Sequence, residues 1–393
     1  MHYLRISRAD LLTFQEQTAL LFRMKFVICG LSISSSWGNG HATLLLGLFR
    51  ALHSKGHEIH FFERDTPYYA SNRDATSFPF VHLHLYSEWV QVCSTVKKHL
   101  DDADAAMVTS YCADGLSACD LILGSRVPQK VFYDMDTPVT LTRLARGEKV
   151  EYLPPQGLKA FDLVLSYTGG EALTQLQERL QARRVAPLYG WVDPSIHHEV
   201  EPVHDYLADL SYLGTYAADR QRSLEDLLLA PAREAPEKRF IIGGPMYPNT
   251  DQWSPNVLYK PHVPPSEHSA FYCSSNLTLN VTRGTMAAMG HCPSGRLFEA
   301  AACGTPILSD WWSGLDEFFE PGKEILVATS PAATLNAIRQ DSHVLKQIGA
   351  SARQRALDCH TAEIRARQLI HLIENSCQKG PPVERAFYAS EGA

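Results

Sequence analysis

Short apolar runs, each closed by a glycine, serine or aspartate and followed by a stretch with helical spacing, recur in two separate parts of this chain. Such alternation builds parallel sheets, because a strand that re-enters its own sheet in the same direction needs a long crossover, usually a helix. The first run is Lys25-Phe-Val-Ile-Cys-Gly-Leu31, and a Ser/Gly loop from Ser32 to Gly40 follows it. Apolar residues then recur at helical spacing from His41 to about Lys55. Gly56-His57 ends that helix, and Glu58-Ile-His-Phe-Phe-Glu63 is the next strand. Further strands are expected at 121–124, 131–134 and 163–166, with a helix at 171–180. A polar, proline-marked stretch from His197 to Tyr206 reads as a linker. The second series opens with Leu210-Ser-Tyr-Leu-Gly-Thr215, with later strands at 240–244, 277–282 and 306–309 and helices near 220–229, 295–302 and 315–319. The helical stretch 344–376 is too long for a simple crossover and is expected to return to the first half. The fold class is therefore α/β, with two Rossmann-like domains facing each other across a cleft: 24–196, a linker 197–206, 207–343, and the crossing helix 344–376. Residues 1–23 read as an N-terminal extension and 377–393 as a flexible tail rich in proline and charge.

Composition narrows the partners. The net charge is −7 over 393 residues, which gives no basic footprint and argues against nucleic acid. An anionic substrate would need a local cationic site. The nine cysteines are scattered, odd in number and without a C-x-x-C pair, so they read as core residues in a reducing, cytoplasmic compartment. Asp10 and Glu16 interrupt the first segment, which resembles neither a signal nor an anchor. No stretch approaches the ~20 apolar residues of a spanning helix, so no integral membrane segment is expected. Sequons at Asn276 and Asn280 lie in a strand-like run and carry no functional weight.

The most informative segment runs from Arg283 to Pro306. Pro293-Ser294-Gly295 marks a helix start, where free N–H groups and the helix dipole suit an anion such as a diphosphate. Arg296 in the first turn is electrostatically misplaced for an isolated helix, and an anion between dipole and guanidinium would remove the conflict. Glu299, one turn on, is placed to accept hydrogen bonds from a sugar diol. A packing helix with an ordinary arginine and a buried, paired glutamate is the competing reading.

Phe298-Glu-Ala-Ala-Ala-Cys-Gly-Thr-Pro-Ile307, followed by Ser313-Gly-Leu-Asp-Glu317, resembles the donor-site signature of GT-B glycosyltransferases, in particular the CgeB-like branch of the glycosyltransferase group 1 proteins. The resemblance covers Met24 to the last helix. It implies that Glu299 binds ribose hydroxyls and that Gly314 and Glu317 lie beside the donor. His291 occupies the place where many retaining members carry a glutamate facing the donor sugar, which leaves the stereochemical outcome open. The resemblance also implies a nucleotide-sugar donor as co-substrate, no cofactor and no bridging metal.

In Ser34-Ser-Ser-Trp-Gly-Asn-Gly-His41, Gly38 and Gly40 would let backbone N–H groups approach a ligand. His41 resembles the histidine that several inverting GT-B enzymes use as general base, a task suited to a group titrating near neutrality. A helix-capping histidine is the alternative. Gly38-x-Gly40 with Glu63 also imitates part of a dinucleotide fingerprint, although Thr43 stands at the third glycine position. Asp134-Met-Asp136-Thr-Pro138 ends a strand at the same edge; Asp136 would assist His41 or orient the acceptor, and a plain Asp-turn is the alternative. Ser166-Tyr-Thr-Gly-Gly170 is expected at the cleft border. The resemblance brings the loop of Gly214 and Thr215, with Arg220 beyond it, toward the diphosphate. Arg283 is the other cation expected near phosphate, with a surface salt-bridge partner as the alternative for either arginine, and Gly244 is expected to contact the base through its backbone. Trp311 and Trp312 read as packing residues. Together these residues point to sugar transfer from a nucleotide-diphospho-sugar to an acceptor hydroxyl. A sugar-nucleotide epimerase of the same fold, and a non-catalytic coat-associated protein, are the alternatives.

Overall fold

The structure, a computed structural model, describes residues 23–376, so the expectations for residues 1–22 and for the tail 377–393 lie outside the described residues. Seven strands form the first sheet: β1 (Lys25–Gly30), β2 (Glu58–Arg64), β3 (His82–Tyr86), β4 (Ala105–Thr109), β5 (Gln129–Asp134), β6 (Leu163–Ser166) and β7 (Val185–Pro187). Six form the second: β8 (Leu210–Leu213), β9 (Phe240–Gly243), β10 (Val257–Lys260), β11 (Thr278–Asn280), β12 (Ile307–Ser309) and β13 (Leu326–Val327). Their orders are β3-β2-β1-β4-β5-β6-β7 and β10-β9-β8-β11-β12-β13, and every pair is parallel. Both sheets are doubly wound, with the order reversing beside β1 and beside β8. Ligands bind at the carboxyl ends of strands at such reversals.

The helices used below are α1 (Gly40–Ser54), α2 (Trp89–Leu100), α3 (Thr137–Ala145), α4 (Glu171–Leu180), α5 (Gly295–Ala302), α6 (Ser342–Cys359) and α7 (Ala362–Ser376). They explain why the strands are apolar throughout. In β1, Phe26 and Ile28 enter one core, whereas Val27 and Cys29 enter the core on the opposite face. A strand covered on both faces reads as a continuous apolar run with no alternation. β9 repeats the pattern, with Ile241 on one side and Phe240 and Ile242 on the other.

Two expectations are corrected. The run 121–124 is the end of a helix, Gly115–Leu123, whose residues Ala118, Cys119 and Ile122 form its buried face. A short apolar run fits a buried helix as well as a strand. The strand in that part of the sheet is β4, Ala-Ala-Met-Val-Thr, whose alanines weaken its strand signal. The terminal helical stretch is two helices rather than one. It breaks at His360-Thr361, where Val192 N–H donates to the His360 carbonyl at 2.9 Å and Ala362 N–H donates to the Val192 carbonyl at 2.7 Å. The outgoing and returning chains thus pair where both cross between domains. α6 packs on α5 in the C-terminal domain, and α7 packs on α1, burying Leu369 and Ile373 in the first domain's core beside Trp191. The return crossing is made by α7.

The stretch 197–206 lies along the second domain. His198 N–H donates to Ser269 Oγ at 3.2 Å and Val203 N–H to Ser274 Oγ at 2.8 Å. The described cysteines are all free thiols, and Cys29, Cys112, Cys119, Cys292 and Cys303 are buried. No described helix is long and apolar enough to cross a membrane.

Candidate active site

The N-terminal wall begins with the loop after β1, which folds over a single carboxylate. Glu63, fully buried, accepts from Ser32 Oγ at 2.7 Å, Ile33 N–H at 2.7 Å and Ser34 N–H at 3.1 Å. Asn39 completes the loop by capping α1: its Oδ1 accepts from His41 N–H at 3.2 Å, while its Nδ2 donates to the Ser32 and Ser35 carbonyls. An acid that binds a dinucleotide ribose needs free lone pairs, and those of Glu63 are committed to the loop. The dinucleotide reading is thereby removed.

This loop delivers His41 to the cleft. Its Nε2 lies 3.5 Å from Asp136 Oδ2, with both side chains mostly buried. His41 Nδ1 is buried without a hydrogen-bond partner. Asp136 gets there because β5 ends in a tight turn organised by Asp134, whose Oδ1 accepts the Asp136 N–H at 3.1 Å. Asp134 is fully buried and one of its oxygens has no partner, so burial pushes its carboxyl up to about 7. Two acids two residues apart thus divide the work: Asp134 makes the turn and Asp136 faces the cleft. Tyr111, in the left-handed region at φ 61°, stands beside His41 with ring centroids 5.9 Å apart. Burial, with the Asp136 carboxylate next, pushes its phenol far up, so it stays a neutral donor.

The C-terminal wall is built around α5. Ser294 is its N-cap, with no side-chain cap bond; Leu297 N–H turns back onto the Ser294 carbonyl at 3.0 Å, and the helix start at Ser294, Gly295 and Arg296 lines the cleft. Arg296 is buried, and its Nη1 donates to Asn280 Oδ1 at 2.9 Å. Its Nε donates to the Leu213 carbonyl, and its guanidinium lies 4.9 Å from the Tyr212 ring centre. Among the described residues no carboxylate forms an ion pair with it. A Cβ at Gly214 would come within 2.6 Å of Arg296 Nη2, so a side chain there would displace the guanidinium. Gly244, at φ 133°, is more tightly constrained: its Cβ would strike the Gly214 backbone carbonyl at 2.2 Å. Glu299 accepts from the Tyr272 hydroxyl at 3.2 Å. Its carboxylate also lies within 4.8 Å of a ring nitrogen each of His197 and His268. Burial drives His268 down to about 4, while the Arg296 guanidinium lies within electrostatic reach of Glu299, whose carboxylate helps hold that cation charged.

These walls enclose an interdomain cleft of about 980 Å³. Gly38, Gly40, His41, Asp136, Gly214, Thr215, Gly244, Arg283, Ser294, Gly295, Arg296 and Glu299 all line it. Arg283 pairs with Asp219 at 3.2 Å in a half-exposed position, and Arg220 donates to the Thr215 carbonyl at 2.6 Å. His291, Gly314 and Glu317 are not among the lining residues. His291 Nδ1 meets Glu317 Oε2 at 3.2 Å, its ring covers Gly314 and Gly170, and its carbonyl accepts the Gly169 N–H at 2.9 Å. This trio is a strut between the domains behind the start of α5, with Gly169 and Gly170 as its seat. Trp312 is buried and Trp311 half exposed, while Asn280 is enclosed within the sheet.

Sequence reasoning did not single out Tyr111, Tyr272, His268, Arg143 or Arg146 as cleft residues. Tyr272 and His268 sit on a short helix, His268–Cys273, that carries no motif. Arg143 and Arg146, at the end of α3, reach the cleft because the Asp134 turn aims that helix across it. The lining holds five arginines, at 143, 146, 220, 283 and 296, against three carboxylates, Asp136, Asp219 and Glu299. Arg143 pairs with Glu148 and Glu151, Arg146 with Glu148, and Arg283 with Asp219, so among the described residues Arg220 and Arg296 are the lining arginines with no salt bridge, and they suit an anionic ligand.

Comparison with known proteins agrees with this geometry. Residues 220–371 match a family model described as glycosyl transferase-like. No curated protein matches the chain. Among solved structures, sucrose-phosphate synthase from Thermosynechococcus elongatus is similar, with 16% identity, a TM-score of 0.65, and 90% of this chain and 99% of that one covered. HepE from Anabaena, in complex with UDP and glucose, is similar at 13% identity and a TM-score of 0.62, over 90% of this chain and all of that one. An alpha-glucosyltransferase in complex with UDP matches at 13% identity and a TM-score of 0.62, over 89% of this chain and all of that one. With two doubly wound parallel sheets facing across a cleft, the chain has the fold of the GT-B glycosyltransferases.

Proposed function

We propose that this protein transfers a sugar from a nucleotide-diphospho-sugar to an acceptor hydroxyl. One observation carries the reading: a buried guanidinium, Arg296, whose hydrogen-bond partners are all neutral and whose nearest anionic influence is Glu299 one turn on, stands at the N-terminus of a helix facing the cleft. A buried cation with neutral partners is costly unless an anion joins it. A diphosphate meets Arg296, the Ser294 and Gly295 amides and Arg283 together, and Glu299 lies one turn on for the ribose diol. Two of the similar structures hold UDP, which supports a uridine nucleotide as the first donor to test.

In the proposed step the acceptor oxygen attacks the anomeric carbon, and the bond from that carbon to the diphosphate oxygen breaks with its electron pair leaving on the diphosphate. Preorganised positive charge stabilises that leaving group. For an inverting reaction the acceptor proton passes to the His41 imidazole, and Asp136, 3.5 Å from Nε2, stabilises the resulting imidazolium. In a retaining reaction the same pair only orients the acceptor. The CgeB-like branch, a cytoplasmic location and a mechanism without a bridging metal belong to the same proposal; the α5 block and the thiol-rich composition support the first two.

The test uses a panel of nucleotide sugars, following the thermal midpoint and release of nucleoside diphosphate. A sugar nucleotide or its diphosphate is expected to raise the midpoint, and Glu299→Ala is expected to weaken that shift. If no member of the panel stabilises the protein, the proposal fails.

A further inference from the structure

Far from the cleft, the outer part of the first sheet gathers four histidines. Parallel register sets His60 on β2 beside His82 on β3, and Phe62 beside His84. Residues two apart in a strand share a face, so His60, Phe62, His82 and His84 all point to one side. α2 crosses that side and carries His99 in its last turn, with its ring centre 3.9 Å from that of His60. His60 Nδ1 and His84 Nε2 are 3.0 Å apart. One ring nitrogen each from His60, His84 and His99 lies within 4.8 Å of the others.

We propose that His60, His84 and His99 form a three-histidine site for a divalent transition ion of the zinc class, with a fourth position open to solvent. Stacking alone would account for His84 lying flat on Phe62, at 4.4 Å and 10°. Stacking and a hydrogen bond between His60 Nδ1 and His84 Nε2 give no reason for a third ring nitrogen, that of His99, to join them. A tetrahedral ion bound at ~2.0–2.1 Å per nitrogen holds two ligand nitrogens about 3.3 Å apart; His60 and His84 already stand at 3.0 Å, and the His99 nitrogen lies within 4.8 Å of both. The other nitrogen of His60 is also accounted for: Nε2 lies 2.8 Å from Glu58 Oε1. A carboxylate holding the far N–H of a ligating imidazole is the usual orienting contact at such centres. His84 and His99 are partly exposed, which leaves a path for the ion. Bound there, it would tie the edge strand β3 and the end of α2 to β2. None of the three residues lines the cleft.

The experiment takes the full chain without an affinity tag, strips it with a chelator, and titrates in zinc by calorimetry and cobalt by visible absorption. The expected result is one equivalent bound with visible cobalt ligand-field bands, and a thermal midpoint raised by zinc. His84→Ala and His99→Ala are each expected to weaken binding ~100-fold, while His82→Ala leaves it unchanged. His99→Gln, at the accessible end of a helix, guards against a variant that fails to fold, and the metal-free thermal midpoint of each variant shows that it has folded. Zinc bound no more tightly by the native chain than by the His84→Ala/His99→Ala double variant would overturn the proposal. So would loss of binding in His82→Ala with retention in His84→Ala, which would move the ion to the neighbouring Glu58, His60 and His82. Failure of the donor panel would leave this proposal untouched, since the two sites share no residue.

Discussion

Arg296 reaches Asn280, not a carboxylate: its Nη1 donates to the amide Oδ1 at 2.9 Å from within the second sheet. Glu299 acts on this charge without a direct ion pair, which leaves the guanidinium's face toward the cleft for an anionic ligand. Replacing Arg296 with Met is expected to weaken binding of the nucleoside diphosphate by about 2–3 kcal/mol, roughly 30- to 150-fold, as loss of a charge-assisted hydrogen bond predicts. Arg296→Lys keeps the charge but loses the fork, and is expected to fall between the two. Calorimetric titration with UDP checks both. Undiminished affinity in the Met variant would show that the guanidinium is only a packing group.

His41 and Asp136 meet across the N-terminal wall at 3.5 Å. If His41 takes the acceptor proton, His41→Ala should leave donor affinity unchanged and cut turnover by ~10²–10⁴. Asp136→Asn should also lower turnover, and the double variant should lose less than the sum, because the pair acts as a unit. Single-turnover rates with saturating donor separate the cases. Full turnover in the His41 variant would remove it from the chemistry.

Asp134 predicts a pH signature independent of catalysis. Its folded-state carboxyl lies near 7 against an ordinary 3.8, through burial. Such a group holds its proton more tightly when folded, so its contribution to stability is full below its unfolded value and is lost as pH rises through its folded one. Between those limits the native protein should lose stability relative to Asp134→Asn. Denaturant midpoints of both proteins, measured at about pH 4 and about pH 8, test the sign. A difference that grows in the native protein's favour as pH rises would refute the account.

Leu369 on α7 lies in the core of the first domain although its helix follows the second. Leu369→Ala is expected to destabilise the chain by about 2–5 kcal/mol, in the range of buried leucine truncations. The thermal or denaturant midpoint reports it. A change below about 0.5 kcal/mol, typical of surface substitutions, would mean that α7 is not docked as described.

Local pattern was enough for the parts whose signals are local. The buried runs of β1, β2 and β6 lack alternation because helices cover both faces of their sheet. The run from Ser294 to Glu299 could be read as a helix start with Arg296 and Glu299 on successive turns, because cap, dipole and spacing are all short-range properties. Only the tertiary structure decided the rest. The meeting of His41 with Asp136 depends on two strand-end loops brought together by sheet order, which no spacing along the chain encodes. Glu63 is consumed by its neighbouring loop and not by a ligand, and His291, Gly314 and Glu317 form a strut behind the cleft wall, since side-chain partners are chosen by packing. The terminal helix breaks at His360 because Val192, arriving from the other crossing, supplies the backbone bonds that let the helical ladder stop there. Helix and strand signals arise from neighbours in sequence, whereas partnership and the choice between site and scaffold arise from neighbours in space.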